Sequence, residues 1–135
     1  MSAHLKQLKQ KFIHDAFVAD GLGAVIDGAS YGFARVSMEI QPRHCNALGI
    51  PMGGAIFTLA DFAGAVAANS WRETADVVTL SSNISFLSPA KGTKLIGEAV
   101  CLKDGRTTCL YEVKITDELG TQVAHATVNG FAVKK

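Results

Sequence analysis

Met52-Gly-Gly-Ala-Ile-Phe-Thr-Leu-Ala-Asp-Phe-Ala-Gly-Ala-Val-Ala-Ala-Asn69 is the stretch whose reading decides the fold. From Ala55 to Asn69 alanine and leucine favour helix and no proline interrupts them. The segment is apolar almost all round, so the spacing predicts a helix inside the structure, not on its rim. Gly64 costs about 1 kcal/mol relative to alanine in a helix. Its presence points to close packing or to close approach of a ligand. Asp61 is the one charged residue between His44 and Arg72, and it sits mid-helix, where capping cannot explain it.

Working outward, Cys45 to Gly54 has no clean period and reads as a loop, with Gly49, Pro51, Gly53 and Gly54 in it. Before it, Ala34 to Ile40 alternates apolar and polar and reads as a half-buried strand. Residues 2–20 carry Leu5, Leu8, Phe12, Ala16 and Phe17 at helical spacing, which predicts an amphipathic helix ended by Gly21 and Gly23. After the central helix come strands at 77–87, 93–102, 107–116 and 122–133. In the first of them Leu80, Ser82, Ile84 and Phe86 alternate with Thr79, Ser81, Asn83 and Ser85. Asp104-Gly105 predicts a two-residue hairpin with a type I′ turn. The order implies an α+β domain spanning residues 1–135, its antiparallel meander wrapped around a long central helix, with an extra helix at the N-terminus. Such a sheet leaves edges, which pairing between two copies would close.

Composition excludes several function classes. A net charge of +1 with scattered Lys and Arg gives no basic surface for nucleic acid or an anionic membrane. Three cysteines (Cys45, Cys101 and Cys109) with no CxxC pair argue for reduced thiols and against a disulfide framework. The start MSAHLKQLKQ lacks the apolar core of a signal peptide, and no run is long enough to span a membrane. The expectation is a cytoplasmic protein. No GxSxG elbow, P-loop or dinucleotide fingerprint occurs, and His4, His14, His44 and His125 have no metal-ligand spacing. His44, two residues before Asn46, is expected on the loop surface, with lining of the site as the alternative. No metal and no cofactor are expected.

The chemistry concentrates on the central helix. Gly54, Thr58, Asp61, Ala65 and Asn69 fall on one stripe of small and polar residues. The stripe is either a narrow solvent-facing strip or one wall of a cavity into which Asp61 points. At the helix start, Gly53 and Gly54 offer backbone N–H groups and the positive end of the dipole, where an oxyanion would be stabilised. Alternatively, the two glycines only permit a tight turn.

The run Asn46-Ala-Leu-Gly49-Ile-Pro-Met52-Gly53-Gly54, followed by Leu59-Ala60-Asp61, resembles the signature of the PaaI-type hotdog thioesterases. The segment from Ser82 to Ala90 with Gly92, and the strands after Asp104-Gly105-Arg106, are similar too. The resemblance covers roughly residues 30 to 133 and implies hydrolysis of acyl-CoA. It implies Asp61 as general base or nucleophile and the Gly53 amide, helped by Gly54, as oxyanion hole. Asn46 would hold the water or the thioester, and Thr79 stands where relatives carry Ser or Thr near the attacking water. It also implies a site shared across a dimer interface, with dimers pairing into tetramers. Met52 departs from the pattern, standing where the family has histidine; it can neither carry charge nor donate a hydrogen bond. Thr58, Ala65, Asn83 and Arg106 join Gly54 and Met52 as candidate substrate contacts. Lys91, Lys94, Lys103 and Lys134 join Arg106 as candidates for the phosphates of coenzyme A, the only cofactor-like group, carried by the substrate. Competing readings on the same fold are a non-catalytic acyl-CoA binder, a hydratase lacking the histidine it would need, and a purely structural dimer module.

Overall fold

A computed structural model describes residues 3–134. Helix α1 (Ala3–Lys11) and a π-helical turn (Phe17–Leu22) lead into strands β1 (Val25–Ser30) and β2 (Phe33–Glu39). A 3-10 turn (Pro42–His44) and a loop precede the long helix α2 (Gly53–Ala68). Strands β3 (Ala75–Phe86), β4 (Lys94–Asp104), β5 (Thr108–Asp117) and β6 (Gln122–Lys134) complete the chain. The six strands form one antiparallel sheet in the order β1-β2-β4-β5-β6-β3. The sheet wraps α2, which is the hotdog architecture. Ten of the sixteen residues of α2 are buried, including Leu59, Phe62 and Val66. The α+β class and the buried central helix therefore stand as the sequence implies.

Close packing explains Gly64. A Cβ there would sit 3.1 Å from the Val128 side chain on β6, so the glycine lets the helix lie directly on the sheet. Gly97 on β4 makes room for the side chains of its cross-strand neighbours Ile115 and Val36, and faces Ala63 of the helix.

Four sequence expectations need correction. The helix expected over 2–20 is two pieces, and its first residue lies outside the described ones. The chain turns at Phe12–His14, and Asp15 begins again by accepting the Val18 N–H through its carboxylate at 3.4 Å. A short polar side chain that bonds the backbone ahead of it favours a cap over a helix interior. Gly23 ends the second piece in the left-handed region, at φ 69°. Strand β1 lies where the sequence predicts no element, because Asp27, Gly28 and Ser30 dilute its alternation.

The third correction is the turn after β4. It spans Gly105 to Thr107, and Gly105 has no positive φ, so it is not a type I′ turn. Glycine is needed there because a Cβ would come within 2.6 Å of the Thr108 carbonyl oxygen, which accepts the Gly105 N–H. The fourth concerns connectivity. The strands do not form a meander, since β3 pairs with β6 at the sheet edge and the chain then crosses to β4.

Asp117 holds that crossing in place. It is 1% exposed and accepts N–H bonds from Lys91 and Gly92 in the crossover and from Leu119 and Thr121 in the β5–β6 turn. Burial alone would raise its pKa. The backbone donors of Lys91, Thr121 and Gly92 outweigh that and hold the carboxyl well below the usual carboxylate range. Because the folded pKa is depressed, this stabilisation is complete above about pH 4 and is lost as the pH falls toward the folded value. Asp117→Asn should lower the thermal midpoint by several degrees at pH 7. The gap to the parent should narrow below about pH 4, as read by circular dichroism melts from pH 7 to 3. A constant gap across that range would refute the assignment.

Candidate active site

Asp61 projects from the middle of α2 and is half-buried in the chain taken alone. It is therefore neither sealed in the core nor afloat on the surface. Thr79 Oγ1 donates to Asp61 Oδ1 at 2.7 Å, fixing the carboxylate from the neighbouring strand. One turn earlier, Thr58 Oγ1 returns to the Gly54 carbonyl at 2.8 Å, so that hydroxyl is spent within the helix. Ala65, one turn later, is half-buried. It lines a cavity of about 10 Å³ together with Thr79, Gly64, Cys109 and Val128. That volume is about one water probe, so no acyl group enters there in a single chain.

Thr79 reaches Asp61 because β3 carries a bulge. Thr79 pairs with Gly130 and Ser81 with Asn129, leaving Leu80 as an extra residue. A bulge of one residue switches the facing of everything beyond it. Val77 and Thr79 face the helix before it, and Ile84 and Phe86 do so after it. Val77 is buried, Ile84 packs on the core, and the Phe86 ring lies over Gly53. The uninterrupted alternation expected from the sequence put Thr79 on the opposite face from Phe86; the bulge brings them to the same one. Asn83 is turned to the other face of the sheet, away from Asp61.

The helix start is assembled by the loop before it. Met52 is the N-cap residue, and its carbonyl accepts the Ala55 and Ile56 N–H groups at 3.1 and 3.2 Å. The N–H groups of Gly53 and Gly54 make no hydrogen bond to any described residue. They are two free donors at the positive end of a sixteen-residue helix. A Cβ on Gly53 would sit 3.0 Å from the Phe86 ring, and one on Gly54 would sit 3.3 Å from the Met52 methyl. Both glycines sit in tight contacts and not in a turn, since neither has a positive φ; the Phe86 ring crowds Gly53, whereas the Met52 methyl beside Gly54 is the free end of an exposed side chain. Asn46 organises the loop: its carboxamide oxygen accepts the Leu48 N–H at 2.9 Å and the Ile50 N–H at 3.4 Å. His44 is not on the surface as expected. It is 3% exposed, with both ring nitrogens engaged.

Around these groups lies exposed apolar surface: Leu48 is 82% exposed, Leu80 61% and Phe86 54%. Met52, Phe57 and Leu87 extend it. A patch of this kind beside an unpaired edge strand is unusual for a lone monomer. Arg106 lies in the β4–β5 turn, at the far end of α2, where its carbonyl accepts Arg72 Nη1. A groove of about 1100 Å³ opens near that end, lined by α1, Tyr31, Trp71 and Arg72; Asn69, the last residue of the helix stripe, lines it, but Asp61 and the residues grouped with it do not. Lys91 and Lys94 sit at the crossover, where their amides are held by Asp117 and Glu118. Among the described residues no group of three metal-ligating side chains occurs. No helix there is long and apolar enough to cross a membrane.

Comparison with known proteins adds a family. The thioesterase superfamily matches residues 48–124. Acyl-coenzyme A thioesterase PaaI of Escherichia coli is 34% identical over 107 residues, covering 78% of this chain and 75% of that one. Acyl-coenzyme A thioesterase 13 of Mus musculus is 33% identical over 82 residues, or 60% of this chain. That match spans 59% of the mouse protein, so this chain corresponds to about three fifths of its length. A hypothetical thioesterase from Streptococcus pneumoniae, solved with coenzyme A, superposes with a TM-score of 0.83 at 30% identity, covering 94% of this chain and 98% of that one.

The geometry predicts that Asp61 is dispensable for folding. Asparagine would still accept the Thr79 hydroxyl, and the side chain is already half in water. Asp61→Asn should therefore melt within about 3 °C of the parent, a change of about 0.5 kcal/mol, by differential scanning fluorimetry.

Proposed function

The chain is a PaaI-like member of the thioesterase superfamily, and from that premise we propose that it hydrolyses acyl-CoA thioesters with Asp61 as its catalytic carboxylate. One observation carries this reading: the only charge on an apolar helix is half-buried and held by a threonine hydroxyl at 2.7 Å, leaving its second oxygen available. A carboxylate placed at that cost is exposed, paired or used. Thr79 orients it without neutralising it.

The reaction joins acyl-CoA and water to give a carboxylic acid and free CoA. Asp61 takes a proton from water as the water oxygen attacks the thioester carbon, or attacks that carbon itself to give a mixed anhydride. Negative charge gathers on the thioester oxygen, and the Gly53 N–H, helped by Gly54 and the helix dipole, receives it. The intermediate collapses by expelling the CoA thiolate, a good leaving group that needs no strong acid; on the first route the proton taken by Asp61 passes to it, and on the second water hydrolyses the anhydride and frees Asp61. Asn46, whose carboxamide oxygen is taken up by its own loop, would hold the water or the thioester through its NH2 group. The reaction calls for no cofactor beyond the CoA of the substrate. Arg106, Lys91, Lys94, Lys103 and Lys134 are the cations from which its phosphates would choose, and reduced cysteines suit a cytoplasmic setting.

Distance argues that two copies make one site. Gly54 and Asp61 are seven residues apart on a helix, which is about 10 Å along its axis. A single carbonyl cannot lie about 3 Å from both a nucleophile and an oxyanion donor so far apart. A homodimer pairing at the β3 edge would cover Leu80 and its apolar neighbours and bring Asp61 of one protomer to the helix start of the other. A tetramer of such dimers is compatible with the same interface. A second reading, a non-catalytic acyl-CoA binder, draws on Met52. Its thioether lies against Gly54 and offers no donor.

Thiol release from a panel of acyl-CoA esters separates the two. The parent should turn over, and Asp61→Asn should lose about 100-fold or more in kcat. Thr79→Val should lose about 10-fold, and Thr79→Ser should recover most of it. Parental turnover by Asp61→Asn would eliminate this role.

A further inference from the structure

The ring of His44 lies outside the catalytic assignment, yet it is buried and bonded at both nitrogens. The Gln41 backbone N–H meets Nδ1 at 2.9 Å. A backbone N–H only donates, so Nδ1 carries the lone pair and the proton sits on Nε2. Nε2 then donates to the Gly21 carbonyl at 3.1 Å. The imidazole is thus neutral, fixed in tautomer and fixed in orientation. It ties the 3-10 turn to the last turn of the π-helical segment. Arg43 Nε donates to the same Gly21 carbonyl at 3.0 Å, giving the turn a second hold on that point.

The main chain of His44 faces the other way along the loop. Its carbonyl accepts the Met52 N–H at 2.9 Å. Cys45 and Pro51 form an isolated antiparallel bridge beside it, and the Asn46 N–H donates to the Ile50 carbonyl at 2.8 Å. The hairpin-like loop from 44 to 52 is therefore closed on the backbone of the residue whose ring is locked. Met52 is the N-cap of α2, and the next amide is the free donor of Gly53. Between the imidazole and that donor lie one residue's main chain, one hydrogen bond and one peptide unit.

We propose that His44 is a positioning residue, holding the Gly53 N–H at the angle at which it receives the oxyanion. This rests on the hydrolase reading above. An oxyanion donor works because it is fixed before charge develops, and a displacement of about 1 Å can cost 100-fold in rate. The helix fixes Gly53 from its C-terminal side. From the N-terminal side the Met52 N–H bond to His44 helps to do so, beside the Asn46 N–H bond to Ile50 that closes the same loop, and the ring of His44 anchors the loop to Gly21. The thioester's ground state gains little from the alignment, so the effect belongs in kcat and not in KM.

The test compares the full-length parent with His44→Phe, which keeps a planar ring and loses both ring hydrogen bonds, and with His44→Asn, whose side-chain oxygen can replace the Nδ1 acceptor. Asp117→Asn serves as a destabilised control remote from the helix start. Acyl-CoA turnover is read by thiol release, and the Gly53 amide by its ¹H–¹⁵N resonance. His44→Phe should lose about 10-fold or more in kcat, with KM within about threefold of the parent, and shift the Gly53 resonance. His44→Asn should recover part of the kcat, and Asp117→Asn should leave both readouts at parental values. If His44→Phe does not fold, the same criteria apply to His44→Asn, with a smaller loss of kcat and a smaller shift expected. A parent that releases no thiol overturns the hydrolase reading and this one with it. A parent that turns over, beside a His44 variant with parental kcat or an unmoved Gly53 resonance, overturns this inference alone.

Discussion

Sealing an apolar helix against one curved sheet is the constraint from which the other features follow. Each fully buried Leu, Ile, Val or Phe side chain contributes on the order of 1.5–3 kcal/mol, and α2 places Ile56, Leu59, Phe62 and Val66 in the core together with five alanines. The alanines matter as much as the large residues. With Gly64 they bring helix and sheet into close contact, beside a void about the size of one water. A helix held so closely has few places for a charge. Asp61 occupies the one flank where the sheet stops covering it, and β3 is the strand that meets it there.

That flank is also the edge of the sheet. Strand β3 is twelve residues long and pairs on one side only, with β6. A long exposed edge with apolar side chains is a liability for a chain that stays alone. Here the liability and the candidate chemistry coincide: the carboxylate, the hydroxyl that orients it and the apolar patch share one border. At the other end, Trp71 donates to the buried Tyr111 hydroxyl, and Arg72 stacks on Trp71 while gripping the carbonyls of Gly105 and Arg106. This end is stiffened by its own contacts and leaves the open border to the β3 side.

The central helix was legible because its signal is unmistakable: sixteen residues with one charge and no proline. Asp61 stood out for the same reason, and the glycines at the helix start came with it. Thr79 enters only through a family resemblance, as a residue near the attacking water and not as a partner of Asp61. From alternation alone it would have been assigned away from Phe86, because a bulge leaves no mark in a polar strand where Ser81, Ser82, Asn83 and Ser85 suit either face. Strand β1 was lost to Asp27 and Gly28, which read as loop when their pairing partner is unknown. His44 was misjudged because its burial depends on Gly21, twenty-three residues away, whose carbonyl no local pattern announces. The Asp104-Gly105 turn failed through a competing use of glycine, which relieves a clash with Thr108 and does not supply a positive φ.

The extra residue in β3 means that this strand keeps count. Were the ladder to run straight through Leu80, the two halves of the strand would share a single alternation, and either Val77 and Thr79 or Ile84 and Phe86 would swing out to water. One end would forfeit the carboxylate's partner and the other the ring over Gly53. Removing Leu80 leaves the facing intact, because Thr79 would then be followed by Ser81, and Val77, Thr79, Ile84 and Phe86 would all fall on one face of an unbroken strand. At this point in the chain the kink that sets one residue aside, and not the side chain it carries, keeps the hydroxyl and the ring on the same side.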